Sequence, residues 1–260
     1  CRSTCYENLL YCAPPHLPYS FMYTKPVYHS IESQLAIWHR SLSDYCSKEK
    51  TAFQVIFYYQ HSLHSRHVDR FFLFNNENIL TVKGDAAVTP IVGQSNSNLR
   101  DIRAEWLFIK PPTGTDNFSG SFTVKPEQEQ ACVLLEWKID LANFSDNELV
   151  DRFWFGISVP LQIVKNNVHI EQYLIQNSPP NFPTDIIQAF NNPTLKYARF
   201  NPESMKESGA AEIDFKLGTK LLDKDGFEIG FYSTFFVPLH TNAKAEYVFS
   251  PMVGNNRHFG

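Results

Sequence analysis

Four segments in the second half of the chain alternate apolar and polar residues with a period of two, and in all four the apolar residues fall on odd numbers. A period of two belongs to extended chain, whose successive side chains point to opposite faces, so each segment reads as a strand with one apolar and one polar face. The first sets Ala131, Val133, Leu135, Trp137, Ile139 and Leu141 against Glu136, Lys138 and Asp140. The second sets Phe153, Phe155, Ile157, Val159, Leu161 and Ile163 against Gly156, Ser158 and Gln162. The third sets Ala211, Ile213, Phe215 and Leu217 against Glu212, Asp214, Lys216 and Gly218, and the fourth sets Phe227, Ile229, Phe231, Phe235 and Val237 against Glu228, Gly230, Tyr232 and Thr234. Between the last two stands Asp223-Lys224-Asp225-Gly226, whose Asp/Gly composition suits the turn of an antiparallel hairpin. The runs extend for about 9 to 13 residues, whereas strands of soluble domains average about 5 to 6 and tilted strands that cross a bilayer need about 9 to 11.

Two architectures satisfy this pattern, and they differ in which face is inside. In an outer-membrane-type β-barrel the apolar face meets lipid and the polar face lines a wet lumen. In a β-sandwich the apolar face turns inward against a second sheet. A chain of 260 residues, 43% of them hydrophobic, can bury a sizeable core, which excludes intrinsic disorder. Lys and Arg number 23 against 27 Asp and Glu, a net charge of −4, so no sequence-independent attraction to polyphosphate is expected and nucleic acid is not among the expected partners. No uncharged apolar run reaches the ~18 residues of a membrane-spanning helix; the nearest, Ile229 to Ala243, is broken by Pro238 and His240. If the chain crosses a membrane, it crosses with strands.

Residues 1–50 read as a separate Cys- and Pro-rich segment with a short helix, and residues 51–260 as the antiparallel β-barrel domain, with the sandwich as the alternative. Pro14, Pro15, Pro18 and Pro26 keep the first thirty residues extended or irregular. From Ser30 to Tyr45 the residues Ile31, Leu35, Ile37, Trp38 and Leu42 recur at helical spacing, which predicts a short amphipathic helix. Phe53, Val55, Phe57 and Tyr59 lie on one face of a further strand, and Phe71 to Phe74 with Ile79, Leu80 and Val82 predict the next strand or two. Gly84 to Asn98 is rich in turn residues and reads as a loop, while 101–109 fits a helix or a strand.

Of the five cysteines, Cys1, Cys5 and Cys12 crowd the first twelve residues with no Met ahead of them. The start reads as a chain from which a signal peptide was removed, an extracytoplasmic protein in which Cys1, Cys5, Cys12 and Cys46 form disulfides with one another or with a neighbouring chain. An odd count leaves one thiol over, as a free thiol, as a link between chains or, at Cys1, as a lipid-bearing residue. Zinc is not expected, because the gaps do not supply two C-x₂₋₄-C pairs.

The Cys-rich start, the helix before Phe53-Gln54-Val55-Ile56-Phe57-Tyr58, and Ser119-Gly120-Ser121-Phe122-Thr123-Val124-Lys125-Pro126 follow in an order that resembles a family of predicted outer-membrane β-barrel proteins from intracellular Gram-negative bacteria. Ile213 to Gly218, Phe231 to Pro238 and Tyr247 to Asn255 are similar to that family's strand–loop–strand blocks, so the resemblance runs from about residue 30 onward. It implies a barrel and a place in the outer membrane or at the cell surface, with the lipid bilayer as partner, a homo-oligomer or disulfide-linked neighbours as further partners, and no catalytic motif. A complete barrel of this kind usually ends in a strand with a terminal aromatic, whereas Asn255 to Gly260 reads as a loop, so further strands are expected beyond Gly260 and the barrel is incomplete at its C-terminus.

No enzyme is expected: G-x-S-x-G, H-E-x-x-H and G-x-x-x-x-G-K-[ST] are absent, and Glu136 with Asp140 reads as part of a strand face. His61, His64 and His67 read as a solvated loop, and Asp223, Asp225 and Glu228 as the hairpin, so neither metal nor cofactor is expected. Trp106, Trp137, Trp154, Tyr58, Tyr59, Tyr232 and Tyr247 fall near strand ends, where aromatic girdles meet the membrane–water boundary. The expected function is a passive porin-like channel or a structural surface protein, its lumen lined by Glu136, Lys138, Asp140, Glu212, Asp214, Lys216 and Glu228. The alternative is a secreted or surface-layer β-sandwich that self-assembles or binds carbohydrate through exposed aromatics.

Overall fold

The computed structural model describes residues 26–29, 51–63, 79–83, 102–107, 119–141, 153–176, 185–224, 227–240, 246–255 and 259–260. In chain order these form strands β1 (Thr51–His61), β2 (Leu80–Lys83), β3 (Ile102–Arg103), β4 (Ser119–Val124), β5 (Glu127–Asp140), β6 (Phe153–Asn167) and β7 (Ile170–Gln176). Helix α1 (Ile186–Phe190) follows, then β8 (Met205–Ala210), β9 (Glu212–Lys224) and β10 (Phe227–Pro238); single 3-10 turns occupy Val27–His29 and Ala104–Leu107. The protein is mainly β, and its large antiparallel sheet, in the order β1-β5-β6-β9-β10, curls into a half-barrel.

All four of the long alternating segments are strands of this sheet, of 14, 15, 13 and 12 residues. The hairpin expected around Asp225-Gly226 pairs Lys224 with Phe227, the turn itself lying outside the described residues. Which face is inside follows from burial. Along β1 the odd residues stand clear of the protein, Phe57 at 77% and Tyr59 at 71% exposure, and on β10 Phe231 does the same at 67%. The even residues of β5, β6 and β9 turn into the concavity, where Leu134, Glu136, Ser158, Gln162, Glu212 and Asp214 are buried. A sandwich built from these strands would have buried the odd face; the apolar face is on the outside instead.

β4 runs on into β5 and β6 into β7 as one long two-stranded ribbon. The ribbon bends at Lys125-Pro126, where Pro126 has no N–H to give to the ladder, and at His169, whose φ of 43° lies in the left-handed region. Lys125 still donates its N–H to the Val168 carbonyl at 2.9 Å, which keeps the two halves of the ribbon together through the bend. Past the bend β4 and β7 join a small sheet in the order β3-β2-β4-β7. Its apolar face packs on α1 around Phe122, Phe190 and Phe200, whose rings meet edge to face with centroids 4.5 to 5.9 Å apart. Asp185 starts α1 by accepting the Gln188 N–H at 2.6 Å.

β8 and β9 are one path broken by a bulge. Ser158 lies across from Asp214 and Leu161 from Ala210, so one extra residue is taken up near Ala211, whose N–H still reaches the Pro160 carbonyl at 2.9 Å. Of the other expectations, residues 101–109 contain both a two-residue strand and a 3-10 turn, and only Leu80–Lys83 is seen as a strand in its region. The expected helix at Ser30 to Tyr45, the loop at Gly84 to Asn98 and the strand at Phe71 to Phe74 lie outside the described residues.

Candidate functional site: the two faces of the half-barrel

The outward face is apolar over a defined length. Along β5 it runs from Ala131 to Ile139 and along the opposing β6 from Ile163 to Phe155, nine residues each, joined by Phe53, Val55, Phe57 and Tyr59 of β1 and by Phe215, Leu217, Phe231 and Phe235 of β9 and β10. Phe155 and Phe215 stack across the β6–β9 pair with centroids 6.5 Å apart. Toward the bend of the ribbon the band stops within one row: Tyr59, Ala131 and Ile163 are followed by His61, Glu129 and Lys165. Glu129 there faces Lys165 Nζ at 3.5 Å and His61 Nε2 at 3.8 Å. Nine residues of tilted strand are about what a bilayer crossing needs.

The inward face is polar and divides into two zones. Register places Gln54, Glu136, Ser158 and Asp214 side by side across four strands. Glu136 accepts from Lys216 Nζ at 2.8 Å and from Gln54 Nε2, and Ser158 Oγ donates to Asp214 at 3.1 Å. This zone is held by neighbouring strands that present opposite charges in adjacent rows. Lys138 reaches over the Trp154 ring, its Nζ 4.2 Å from the centroid, and Trp154 lies over Gly218 beside Tyr232.

Of the lumen-lining set, Glu136, Asp214 and Lys216 meet around Ser158, with Glu212 fully buried on the same face. Lys138 and Asp140 lie nearer the hairpin end, half-buried. Glu228 pairs through its backbone with Asp223 close to the β9–β10 turn, and its side chain is outside the described residues. Glu136, Glu212 and Asp214 are buried on the inward face, and Glu136 is ion-paired.

The second zone is one the sequence reading passed over. Toward the bend the inward residues change from charged to amide: Gln128, Gln130, Gln162 and Asn166. Gln162 Nε2 donates to Gln130 at 3.0 Å, Gln130 Nε2 to Gln128 at 2.7 Å, and Gln128 Nε2 to Asn166 at 2.9 Å, a continuous ladder across β5 and β6. Its readable signal was the loss of charge from the even face at Gln130 and Gln162, with the strand period intact. Beside it Cys132 is a free, buried thiol. Cys1, Cys5, Cys12 and Cys46, on which the expected disulfides fall, lie outside the described residues.

Trp137 stands on the outward face three residues from the end of β5, whereas Trp154 turns inward, so the expected aromatic girdle is split between the two faces. His61 lies at the end of β1, while His64 and His67 are outside the described residues; no group of three or more metal-ligating side chains occurs among the described residues. Nor is any described helix long and apolar enough to cross a membrane. No family model, curated protein or solved structure matches the chain.

Proposed function

We propose that the half-barrel is the wall of a β-barrel in a bacterial outer membrane, its outward band seated in lipid. One observation carries this reading: the sheet is apolar outside and polar inside, the reverse of a sheet that folds in water. Aromatic and aliphatic side chains such as Phe53, Phe57, Phe231 and Phe235 stay exposed, while Glu136, Ser158, Glu212 and Asp214 are buried. In water that distribution costs free energy on both faces; in a bilayer the outer face is matched to its solvent. In this reading the headgroup boundary lies one row beyond Tyr59, Ala131 and Ile163, where the outward face changes to His61, Glu129 and Lys165. The small sheet and α1, on the far side of that row, then stand in water. Antiparallel pairing on both sides satisfies the backbones of β5, β6 and β9. The outer edges of β1 and β10, each paired with one strand among those described, must in this reading be paired as well, because the hydrocarbon supplies no partner.

Of the two roles such a barrel can serve, an open channel or a structural surface protein, the filled inner face favours the structural role, or a channel that is closed at rest. The protein expressed in a Gram-negative outer membrane should stay with the membrane pellet through carbonate extraction and need detergent to remain monodisperse. Release into the supernatant as a monodisperse species without detergent would reject the membrane reading.

A further inference from the structure

At the end nearest the ribbon bend, the concave face is covered by two stretches of chain far in sequence from the strands beneath them. Val27, Tyr28 and Val253 form a buried cluster with Cys132, Val164 and Ala211, against which Tyr58 packs. Apolar packing alone would let these stretches slide, because it has no direction. Direction comes from the amides. Gln130 Oε1 accepts the Val27 N–H at 3.0 Å, Gln162 Oε1 accepts the Gly254 N–H at 3.2 Å, and Gln162 Nε2 donates to Gln130 Oε1 at 3.0 Å. Asn166 Nδ2 extends the same hold to the Phe249 carbonyl at 3.0 Å. Each wall amide therefore faces a neighbour along the wall and a backbone group above it, and a buried network filled in this way fixes one arrangement. Gly254 is adapted to the contact, with φ of +75° and room for no side chain, since a Cβ would meet the Ala211 carbonyl oxygen at 2.9 Å.

We infer that residues 26–28 and 249–254 are a built-in plug, seated on the Gln130–Gln162 pair, that closes the passage through the barrel. The inference rests on the membrane-barrel reading, because only there is the concave face a passage. Cys132 reports on it: the thiol lies in register between Tyr58 and Gln162, under the plug.

The test uses the full chain in outer-membrane vesicles with Cys1, Cys5, Cys12 and Cys46 changed to Ser, leaving Cys132 as the one thiol. A charged, membrane-impermeant methanethiosulfonate is the probe. The parent should label slowly. Gln130→Ala with Gln162→Ala removes the hydrogen bonds to Val27 and Gly254, while Gly254→Val changes no wall residue but sets a side chain against the Ala211 carbonyl at a left-handed φ. Each should label about tenfold faster or more, through the loss of two buried hydrogen bonds in the first and steric displacement of the plug in the second. Folding of each variant is verified by its heat-modifiable migration in gels. Fast labelling of the parent overturns the plug, as does slow labelling of folded Gly254→Val. A separate chain with Cys132→Ser and Phe57→Cys tests the membrane reading alone: labelling of that Cys by the charged reagent as fast as by an apolar maleimide would reject the lipid-facing assignment while leaving the contacts of residues 26–28 and 249–254 intact.

Discussion

Gly218 has no side chain because the Trp154 ring lies where one would project. That exchange lets an indole lie flat on the inner wall, with Lys138 against its face and Tyr232 beside it. Gly218→Ala must therefore push the ring away, and a cost of about 1–3 kcal/mol with a shift in Trp emission is expected in urea unfolding. Unchanged stability and emission would mean that Trp154 sits elsewhere. Glu136 and Lys216 pose the opposite case, two charges that tolerate burial only together. Glu136→Leu should leave the Lys216 ammonium uncompensated and cost about 3–5 kcal/mol, while the double variant with Lys216→Met should recover much of that loss. A double variant as unstable as the single would show that the pair does not act as a unit. At this scale the sequence showed which residues share a face and not what they touch. Glu136 reads as a wet carboxylate by alternation alone; its burial depends on Gln54 and Lys216, which lie on two other strands.

For the elements, the period of two was enough. β5, β6, β9 and β10 fall on the four alternating runs because one-residue slips would turn every side chain to the wrong face, so register and pattern enforce each other. What escaped has a physical reason in each case. α1 is five residues long, too short to show a helical period, and its one local signal is the capping Asp185. The bulge at Ala211 leaves the alternation of β9 intact and reveals itself only in the pairing of β6 with two partners. The seating of other chain on the amide ladder needed contacts more than 90 residues apart in sequence, from Gln130 to Val27 and from Gln162 to Gly254. The apolar band makes a graded prediction. Val159→Arg, in the middle of the band, should cost about 2–4 kcal/mol, and Ile163→Arg, one row from the charged boundary, about 0–1 kcal/mol, in unfolding from lipid vesicles. Equal costs at the two positions would contradict a bilayer boundary at the Glu129 row.

For the molecule as a whole, the curled sheet turns its polar face inward and its apolar face outward. On the outer edge of β10, Phe236 exchanges hydrogen bonds with Gly260, N–H to carbonyl at 2.9 Å in one direction and 3.5 Å in the other. That reciprocal exchange is the pattern of an antiparallel neighbour, so the β10 edge is occupied at this point. The apolar exterior is tested most directly by two tryptophans that lie close together in the sheet and face opposite ways. Trp137 points outward and Trp154 inward, over Gly218. Single-tryptophan proteins retaining one or the other, refolded into vesicles whose acyl chains carry bromine, report contact with lipid through fluorescence quenching. The Trp137 protein should be strongly quenched and the Trp154 protein nearly unaffected; equal quenching, or quenching of Trp154 alone, would contradict the assignment of the odd face to lipid.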